Sequence, residues 1–182
     1  MNKIELRQEL KTLRGEMDEK SVAEKSRKII KKVSRIEDFL TAETVMIYMS
    51  LKNEVCADEL IEIALKMGKN VVVPVTVGDD IVPCEIGDIK NLKTGKFGIR
   101  EPGEKNVWDG DIDLVIVPGV GFSRHGGRIG FGKGYYDRFL EGKTSKKIAI
   151  AYSFQVVDDA FSDKFDIPMD IIVTEEELIY CE

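Results

Sequence analysis

TVMIYMSLKNEVCADELIEIALKMGKNVVVPV, residues 44–75 of the chain, is the segment from which the fold class follows. Residues 44–49 are apolar and rich in β-branched and aromatic side chains, which is typical of a buried strand. A helix is predicted from about Asp58 to Lys66, with Asp58 as its cap and Gly68 as its stop, and residues 70–75 form the next strand. This order predicts a βαβ unit with parallel strands and a right-handed crossover.

Two helices precede this unit, and further strands follow it. Asn2 can cap the first helix, and the second begins near Asp18 or Ser21. The first helix carries an apolar stripe, formed by Leu6, Leu10, Leu13 and Met17. Later segments are predicted as short strands and turns (78–112), a buried strand (113–118), a helix (134–140), a strand (147–152) and a last strand (171–174). We therefore predict a three-layer α/β/α fold with a mostly parallel, Rossmann-like central sheet, in a single domain of residues 1–182.

Composition excludes several classes of protein. The 182 residues are 43% hydrophobic, which excludes intrinsic disorder, and three cysteines are too few for a disulfide scaffold. With 27 basic and 33 acidic residues, the formal net charge of −6 argues against a general nucleic-acid coat. No apolar run approaches the roughly 18 residues that a membrane helix needs, and the N-terminus lacks a signal-peptide core. We expect a cytoplasmic monomer that binds small molecules rather than nucleic acid or membrane.

Glycine is concentrated where the strand at 113–118 ends. Seven of the sixteen glycines fall within residues 119–134, a costly concentration because glycine loses much backbone entropy on folding. In open α/β sheets, ligands bind between the carboxyl end of a strand and the following helix. The segment also contains Arg124, Arg128 and Lys133, with Arg138 just beyond. A mobile surface loop is the alternative, but this set of glycines and cations favours phosphate binding.

Two familiar nucleotide motifs nearly match this segment, and both fail. Residues 127–133 have the Walker A spacing, but Gly134 replaces the Ser or Thr that would bind magnesium. Gly130 and Gly132 begin a dinucleotide fingerprint that lacks its third glycine. Without the P-loop hydroxyl, a magnesium ion needs carboxylates, and Asp137 follows directly. Favourable charge at a helix N-terminus is the alternative role of Asp137.

The sequence PGVGF at 118–122, followed by GRIGFGKGYYDR at 127–138, resembles the signature of the 5-formyltetrahydrofolate cyclo-ligase family. The resemblance extends over most of the chain and includes residues 3–7, residues 48–50 with Glu54, the Gly98-Ile-x-Glu101-Pro102 element and the tail 166–175. It implies ATP-dependent closure of 5-formyltetrahydrofolate to 5,10-methenyltetrahydrofolate, with release of ADP and phosphate and with Mg²⁺ as cofactor.

The resemblance also implies roles for individual residues. For ATP it implies Lys3, Arg7, Arg128, Ile129, Gly130, Phe131, Gly132, Lys133, Gly134, Tyr135 and Tyr136. For folate it implies Met49, Glu54 and Tyr136, and for magnesium Asp137 and Asp166. The spacing of four between Lys3 and Arg7 independently places both cations on one helical face. Arg128 and Lys133 are the candidates for stabilising the transferring phosphoryl group, so we predict that they are catalytic.

Two other classes of function are compatible with the sequence. A different small-molecule kinase or ligase would share the phosphate-binding segment but not the folate contacts. A sensor of nucleotides or sugar phosphates would bind ATP without consuming it. The fold cannot decide among the three, because this architecture supports many unrelated functions.

Overall fold

A computed structural model describes residues 2–182 of the chain. The helices are α1 (Lys3–Gly15), α2 (Glu19–Val33), α3 (Glu37–Thr41), α4 (Asp58–Lys66) and α5 (Tyr135–Leu140). The strands are β1 (Thr44–Ile47), β2 (Asn70–Val77), β3 (Asp80–Ile86), β4 (Leu92–Thr94), β5 (Arg100–Pro102), β6 (Leu114–Val117), β7 (Gly121–Ser123), β8 (Arg128–Ile129), β9 (Lys146–Ile150), β10 (Val156–Val157), β11 (Ile171–Val173) and β12 (Leu178–Tyr180).

The central sheet has seven strands in the order β12-β11-β9-β6-β1-β2-β3. The five inner strands are parallel, and the two edge strands are antiparallel to their neighbours. β1, α4 and β2 form the predicted βαβ unit, with Val45 opposite Val71 in the parallel register. The predicted mostly parallel, Rossmann-like sheet is confirmed.

Helices cover both faces of this sheet, which confirms the three layers. On one face, inward side chains of β1, β6 and β9 pack with α2, α3 and α4 around the fully buried Phe39. On the other face, Val72, Val115 and Ile172 pack with Leu140 of α5 and with Phe122. Alternate residues of the same strands thus enter different cores, as the twofold period of a strand requires. No helix within residues 2–182 has both the length and the apolar character that crossing a bilayer demands.

Both predicted N-terminal helices are present. Asn2 caps α1 in a capping box with Glu5, and Asp18 caps α2. Leu10 is buried with Val120 and Ile129 in a third, smaller core, which fixes α1 against the rest of the molecule. The predicted stripe on α1 is wrong at two positions, because Leu13 is 42% exposed and Met17 lies beyond the helix, which ends at Gly15.

Three further predictions need correction. The strand at 171–174 is not the last, since β12 adds an antiparallel edge strand after it. The glycine-rich segment is not one loop, because β7 and β8 form a hairpin that joins β10 in a separate sheet. Asp58 does not cap α4; Ala57 is at that position, and the Asp58 carboxylate binds Arg100 instead.

Candidate active site

A cleft of about 450 Å³ lies at the carboxyl ends of β1 and β6. These strands are neighbours, but the chain continues from β1 to β2 on one side and from β6 to β9 on the other. The connections therefore diverge and leave a crevice, which is where open α/β sheets bind ligands. Met49 lies just beyond β1, and Pro118 directly follows β6.

The cleft is lined by almost every residue that the sequence singled out. These are Lys3, Arg7, Met49, Glu54, Arg128, Gly130, Phe131, Gly132, Lys133, Gly134, Tyr135, Tyr136, Asp137 and Asp166. Ile129 is the exception: its side chain is fully buried in the small core, and its carbonyl accepts the Val120 amide. Arg124 lies elsewhere and pairs with Glu177, and Arg138 donates to the carbonyls of Lys133 and Asp79.

Residues 130–134, here called the glycine loop, form part of the cleft. The loop depends on backbone conformations that suit glycine. Gly132 has φ 102° and Gly134 has φ 67°, values that side-chain-bearing residues rarely adopt. Between them, Lys133 is exposed, and its ammonium lies 4.5 Å from the centre of the Phe97 ring. The loop therefore presents a cation and open backbone at the rim of the cleft.

Arg128 lies beneath this loop and is only 6% exposed. Its guanidinium donates to the Pro118 carbonyl at 3.3 Å and to the Asp137 carboxylate at 3.0 Å. It also lies 5.6 Å from the centre of the Tyr136 ring. Nε of Arg128 is buried and has no hydrogen-bond partner among the described residues. A buried donor without a partner is costly, and an anionic ligand in the cleft would relieve that cost.

Two carboxylates lie close to Arg128. Asp137 accepts the amide of Ile167 at 3.1 Å, which brings helix α5 against the segment that carries Asp166. Asp166 pairs with the Lys3 ammonium at 2.7 Å. Partial burial opposes ionisation of Asp166, but the hydrogen bonds from Lys3 and from the Asp163 amide hold its pKa below the usual value.

Helix α1, at the N-terminus, contributes two cationic side chains to the cleft. Lys3 reaches Asp166, and Arg7 Nε donates to the Gly130 carbonyl at 2.9 Å. Their spacing places both on the face of α1 that Leu10 anchors. The predicted common face for Lys3 and Arg7 is confirmed.

The other half of the cleft is apolar except for one acid. Met49 and Glu54 are 3% and 6% exposed, and the Glu54 carboxylate accepts the Leu51 amide at 2.8 Å. Burial raises the pKa of Glu54, although the Leu51 amide and Arg14, whose Nη1 is 3.8 Å away, oppose the rise. Burial, together with the nearby Glu54 charge, raises the pKa of Tyr136 above the ordinary tyrosine value, so its hydroxyl is protonated at neutral pH.

Several lining residues were not among the predicted site residues. They are Tyr48, Leu51, Pro74, Thr76, Ile81, Phe97, Ile99 and Pro118. Pro74 and Thr76 were identifiable in principle, because β2 neighbours β1 and ends at the same edge of the sheet. Phe97 had a weaker signal, a bulky side chain directly before Gly98 in a turn-rich segment.

No set of three or more histidine, cysteine or acidic side chains among residues 2–182 is grouped to hold a metal ion. Asp137 and Asp166 are thus two acids that face one cleft. They do not form a complete coordination shell.

Comparison with known proteins now identifies the family. Residues 1–175 match the profile of the 5-formyltetrahydrofolate cyclo-ligase family. A probable 5-formyltetrahydrofolate cyclo-ligase of Caenorhabditis elegans is 32% identical, with 97% of this chain and 94% of that protein aligned. A 5-formyltetrahydrofolate cyclo-ligase of Mycoplasma pneumoniae is 36% identical over 86% of this chain and 90% of its own length.

Solved structures agree with the sequence comparison. The NMR structure of Aquifex aeolicus 5,10-methenyltetrahydrofolate synthetase has a TM-score of 0.86 and 36% identity, covering 99% of this chain and 93% of that one. A 5,10-methenyltetrahydrofolate synthetase from Mycoplasma pneumoniae has a TM-score of 0.78 and 30% identity, covering 96% and 99%. The chain belongs to the 5-formyltetrahydrofolate cyclo-ligase family.

Proposed function

We propose that this chain catalyses the ATP-dependent closure of 5-formyltetrahydrofolate to 5,10-methenyltetrahydrofolate, with release of ADP and phosphate. The observation that carries the proposal is the division of one cleft into two halves. One half is lined by Lys3, Arg7, Arg128 and Lys133, and the other is apolar and contains the buried Glu54. Such a cleft suits a polyphosphate and a flat organic molecule side by side.

The cationic half is assigned to ATP. Lys133 and the open backbone of the glycine loop would contact the terminal phosphates, with Lys3 and Arg7 completing the ring of positive charge. The unpaired Nε of Arg128 supports a direct contact with a phosphate oxygen, because only an acceptor can satisfy it. Tyr135 and Tyr136 form the adjacent wall.

The apolar half is assigned to the folate. Met49 and the Tyr136 ring would pack on its flat ring system, and Glu54 would accept a hydrogen bond from its N–H groups. A buried carboxylate orients such donors strongly, because the surrounding dielectric is low. The formyl group would then lie near the boundary between the two halves, close to Arg128.

The reaction needs no nucleophile from the protein. The formyl oxygen attacks the γ-phosphate and ADP departs, which leaves the formyl oxygen phosphorylated. The neighbouring folate N–H nitrogen then attacks the formyl carbon and releases its proton to solvent, and the C–O bond breaks so that phosphate departs. The substrate thus supplies both nucleophiles, and the protein contributes position and charge. Arg128 and Lys133 stabilise the negative charge on the transferring group, a role that preorganised cations fill effectively.

Magnesium fits the acids of the cleft in number and type. Mg²⁺ is commonly held by one or two carboxylates together with substrate phosphates and water. Asp137 and Asp166 would supply the carboxylates, and the lowered pKa of Asp166 keeps it ionised at neutral pH. When bound, the ion would neutralise charge on the phosphates.

We further infer that residues 1–182 form one domain that acts as a monomer in the cytoplasm. Both large cores lie against the same central sheet, which supports one domain, and the unpaired Cys56, Cys84 and Cys181 suit a reducing compartment. Sedimentation velocity would test the monomer.

Absorbance of the methenyl product, measured with ATP, Mg²⁺ and 5-formyltetrahydrofolate, tests the proposed reaction. We expect product to form only when all three are present, with one phosphate released per product. Phosphate release that does not depend on 5-formyltetrahydrofolate would indicate a different kinase or ligase. Binding of ATP without any consumption would indicate a sensor, and either result would refute the proposal.

A further inference from the structure

The β4–β5 hairpin, residues 92–102, contributes Phe97 and Ile99 to the lining of the cleft and is anchored along its two strands. Leu92 and Ile99 pack against the core that contains Phe39. Next to the turn, the Arg100 guanidinium makes a bidentate pair with the Asp58 carboxylate at 2.9 and 2.5 Å. Asp58 is the first residue of helix α4, which follows the loop containing Glu54. The strands of the hairpin are therefore fixed to the Phe39 core and to helix α4, beside the loop that contains Glu54.

The tip of the hairpin is held differently. Phe97 is 65% exposed and belongs to none of the three cores, yet its backbone has φ 56° and ψ 21°. That left-handed conformation is unusual for a bulky residue and is strained. Its ring lines the cleft and receives the Lys133 ammonium at 4.5 Å. A cation–π contact thus connects the hairpin tip to the glycine loop.

Lys133 has two competing partners in this arrangement. The ring offers an exposed cation–π contact, which changes an equilibrium by only about two- to fivefold. A nucleotide phosphate is a full negative charge and attracts an ammonium more strongly than a ring does. Phosphate in the cationic half would therefore draw Lys133 away and uncover the ring face.

We propose that the Phe97–Lys133 contact couples the two halves of the cleft, so that nucleotide and folate each bind more tightly when the other is present. The uncovered ring face then packs on the flat second substrate, while the Arg100–Asp58 pair keeps the hairpin in place. The inference rests on the proposed function, because it takes that function's two ligands as the occupants. Reciprocity follows from thermodynamic linkage.

The test is calorimetric titration of 5-formyltetrahydrofolate with and without an ATP analogue whose β–γ bridge is an imido group, so that no turnover occurs. In the wild-type protein the analogue should lower the folate Kd by about two- to fivefold, the size of one exposed cation–π contact. Phe97→Leu keeps an apolar side chain but removes the ring, and the two Kd values should then be equal.

Arg100→Ala removes the anchor next to the hairpin turn and should weaken folate binding while leaving the analogue's affinity, measured without folate, unchanged. Arg124→Ala is the matched control, because Arg124 also makes a bidentate pair, with Glu177, but outside the cleft. It should retain wild-type affinities and coupling. Circular dichroism would verify that each variant folds.

The outcomes are separable. Equal folate Kd values with and without the analogue in the wild-type protein, or coupling that persists in Phe97→Leu, would overturn the coupling and leave the proposed function intact. Arg100→Ala with the affinities of Arg124→Ala would overturn the anchoring role. Absence of any folate binding by the wild-type protein would refute the proposed function itself.

Discussion

The Arg128 guanidinium donates to the Asp137 carboxylate over 3.0 Å, and this partly buried pair joins strand β8 to helix α5 under the glycine loop. Asp137 also accepts the Ile167 amide, so the same carboxylate holds the segment that carries Asp166. Two sequence regions that line the cleft are thus positioned by one hydrogen-bonded pair.

Replacement of Arg128 should separate catalysis from folding. Arg128→Met keeps the length of the side chain without its charge, and it should lower turnover by about 100-fold or more, the scale for loss of one preorganised electrostatic group. The measurement is kcat for methenyl formation, together with thermal unfolding. Arg124→Met, outside the cleft, is the control; comparable kcat values for the two variants would contradict the role of Arg128.

Asp137→Asn retains the shape and removes the charge. We expect kcat to fall by about 100-fold, because both the proposed metal ligand and the partner of Arg128 are weakened. The Mg²⁺ concentration needed for half-maximal activity should also rise. Asp170→Asn is a useful comparison, since Asp170 pairs with Lys147 outside the cleft. An unchanged Mg²⁺ requirement in Asp137→Asn would argue against metal binding there.

The parallel sheet was predicted from local hydrophobic pattern, whereas most cleft residues were predicted from the family resemblance. Strand periodicity and the βαβ spacing were sufficient for β1, α4 and β2, because local hydrophobic pattern reports the buried faces of elements. Strand β12 was not predicted, because it is an edge strand of only three residues. So short a strand has little hydrophobic pattern of its own.

Tertiary pairing explains the other differences between the prediction and the structure. The partners of Asp58 and Arg124 are Arg100 and Glu177, which lie 42 and 53 residues away along the chain. Nothing in the local sequence of either residue indicates these pairings. The position of Lys3 at the cleft was predictable only from the family resemblance, because its partner Asp166 lies 163 residues away along the chain.

The small core under α1 should control ATP affinity. Leu10→Ala removes a buried side chain that packs with Val120 and Ile129, and we expect a loss of about 2–5 kcal/mol in unfolding free energy. ATP binding should weaken as well, because α1 carries Lys3 and Arg7. Leu13→Ala, on the exposed side, should change stability by less than about 0.5 kcal/mol. Denaturant titration and calorimetry measure both effects, and equal ATP affinity in the two variants would contradict the link.

Asp166 should titrate below its ordinary pKa of 3.8. Because the folded-state pKa is lowered, the stabilisation is present above 3.8 and is lost as pH falls through the folded-state value. Carboxyl-carbon NMR titration measures this midpoint directly. Lys3→Met removes the 2.7 Å hydrogen bond and should raise the midpoint toward 3.8. A midpoint that does not move in this variant would show that Lys3 does not stabilise the carboxylate.

Glu54 should show the opposite pH dependence. Burial raises its folded-state pKa above 4.5, so the folded state binds the proton more tightly and stability falls as pH rises from 4.5 through the raised value. The glutamine side chain in Glu54→Gln cannot ionise, so this variant does not lose stability in this way. The variant should therefore gain in Tm relative to the wild-type protein as pH rises toward neutrality.

The same substitution should impair substrate binding, because an amide accepts hydrogen bonds less strongly than a carboxylate. We expect the folate KM to rise by about tenfold, the lower range for loss of a charged hydrogen bond, and the ATP KM to remain unchanged. Thermal unfolding across pH and steady-state kinetics give the two readouts. A Tm difference that is constant between pH 4.5 and neutrality would mean that Glu54 does not carry the raised pKa. Equal effects on both KM values would remove Glu54 from the folate side of the cleft.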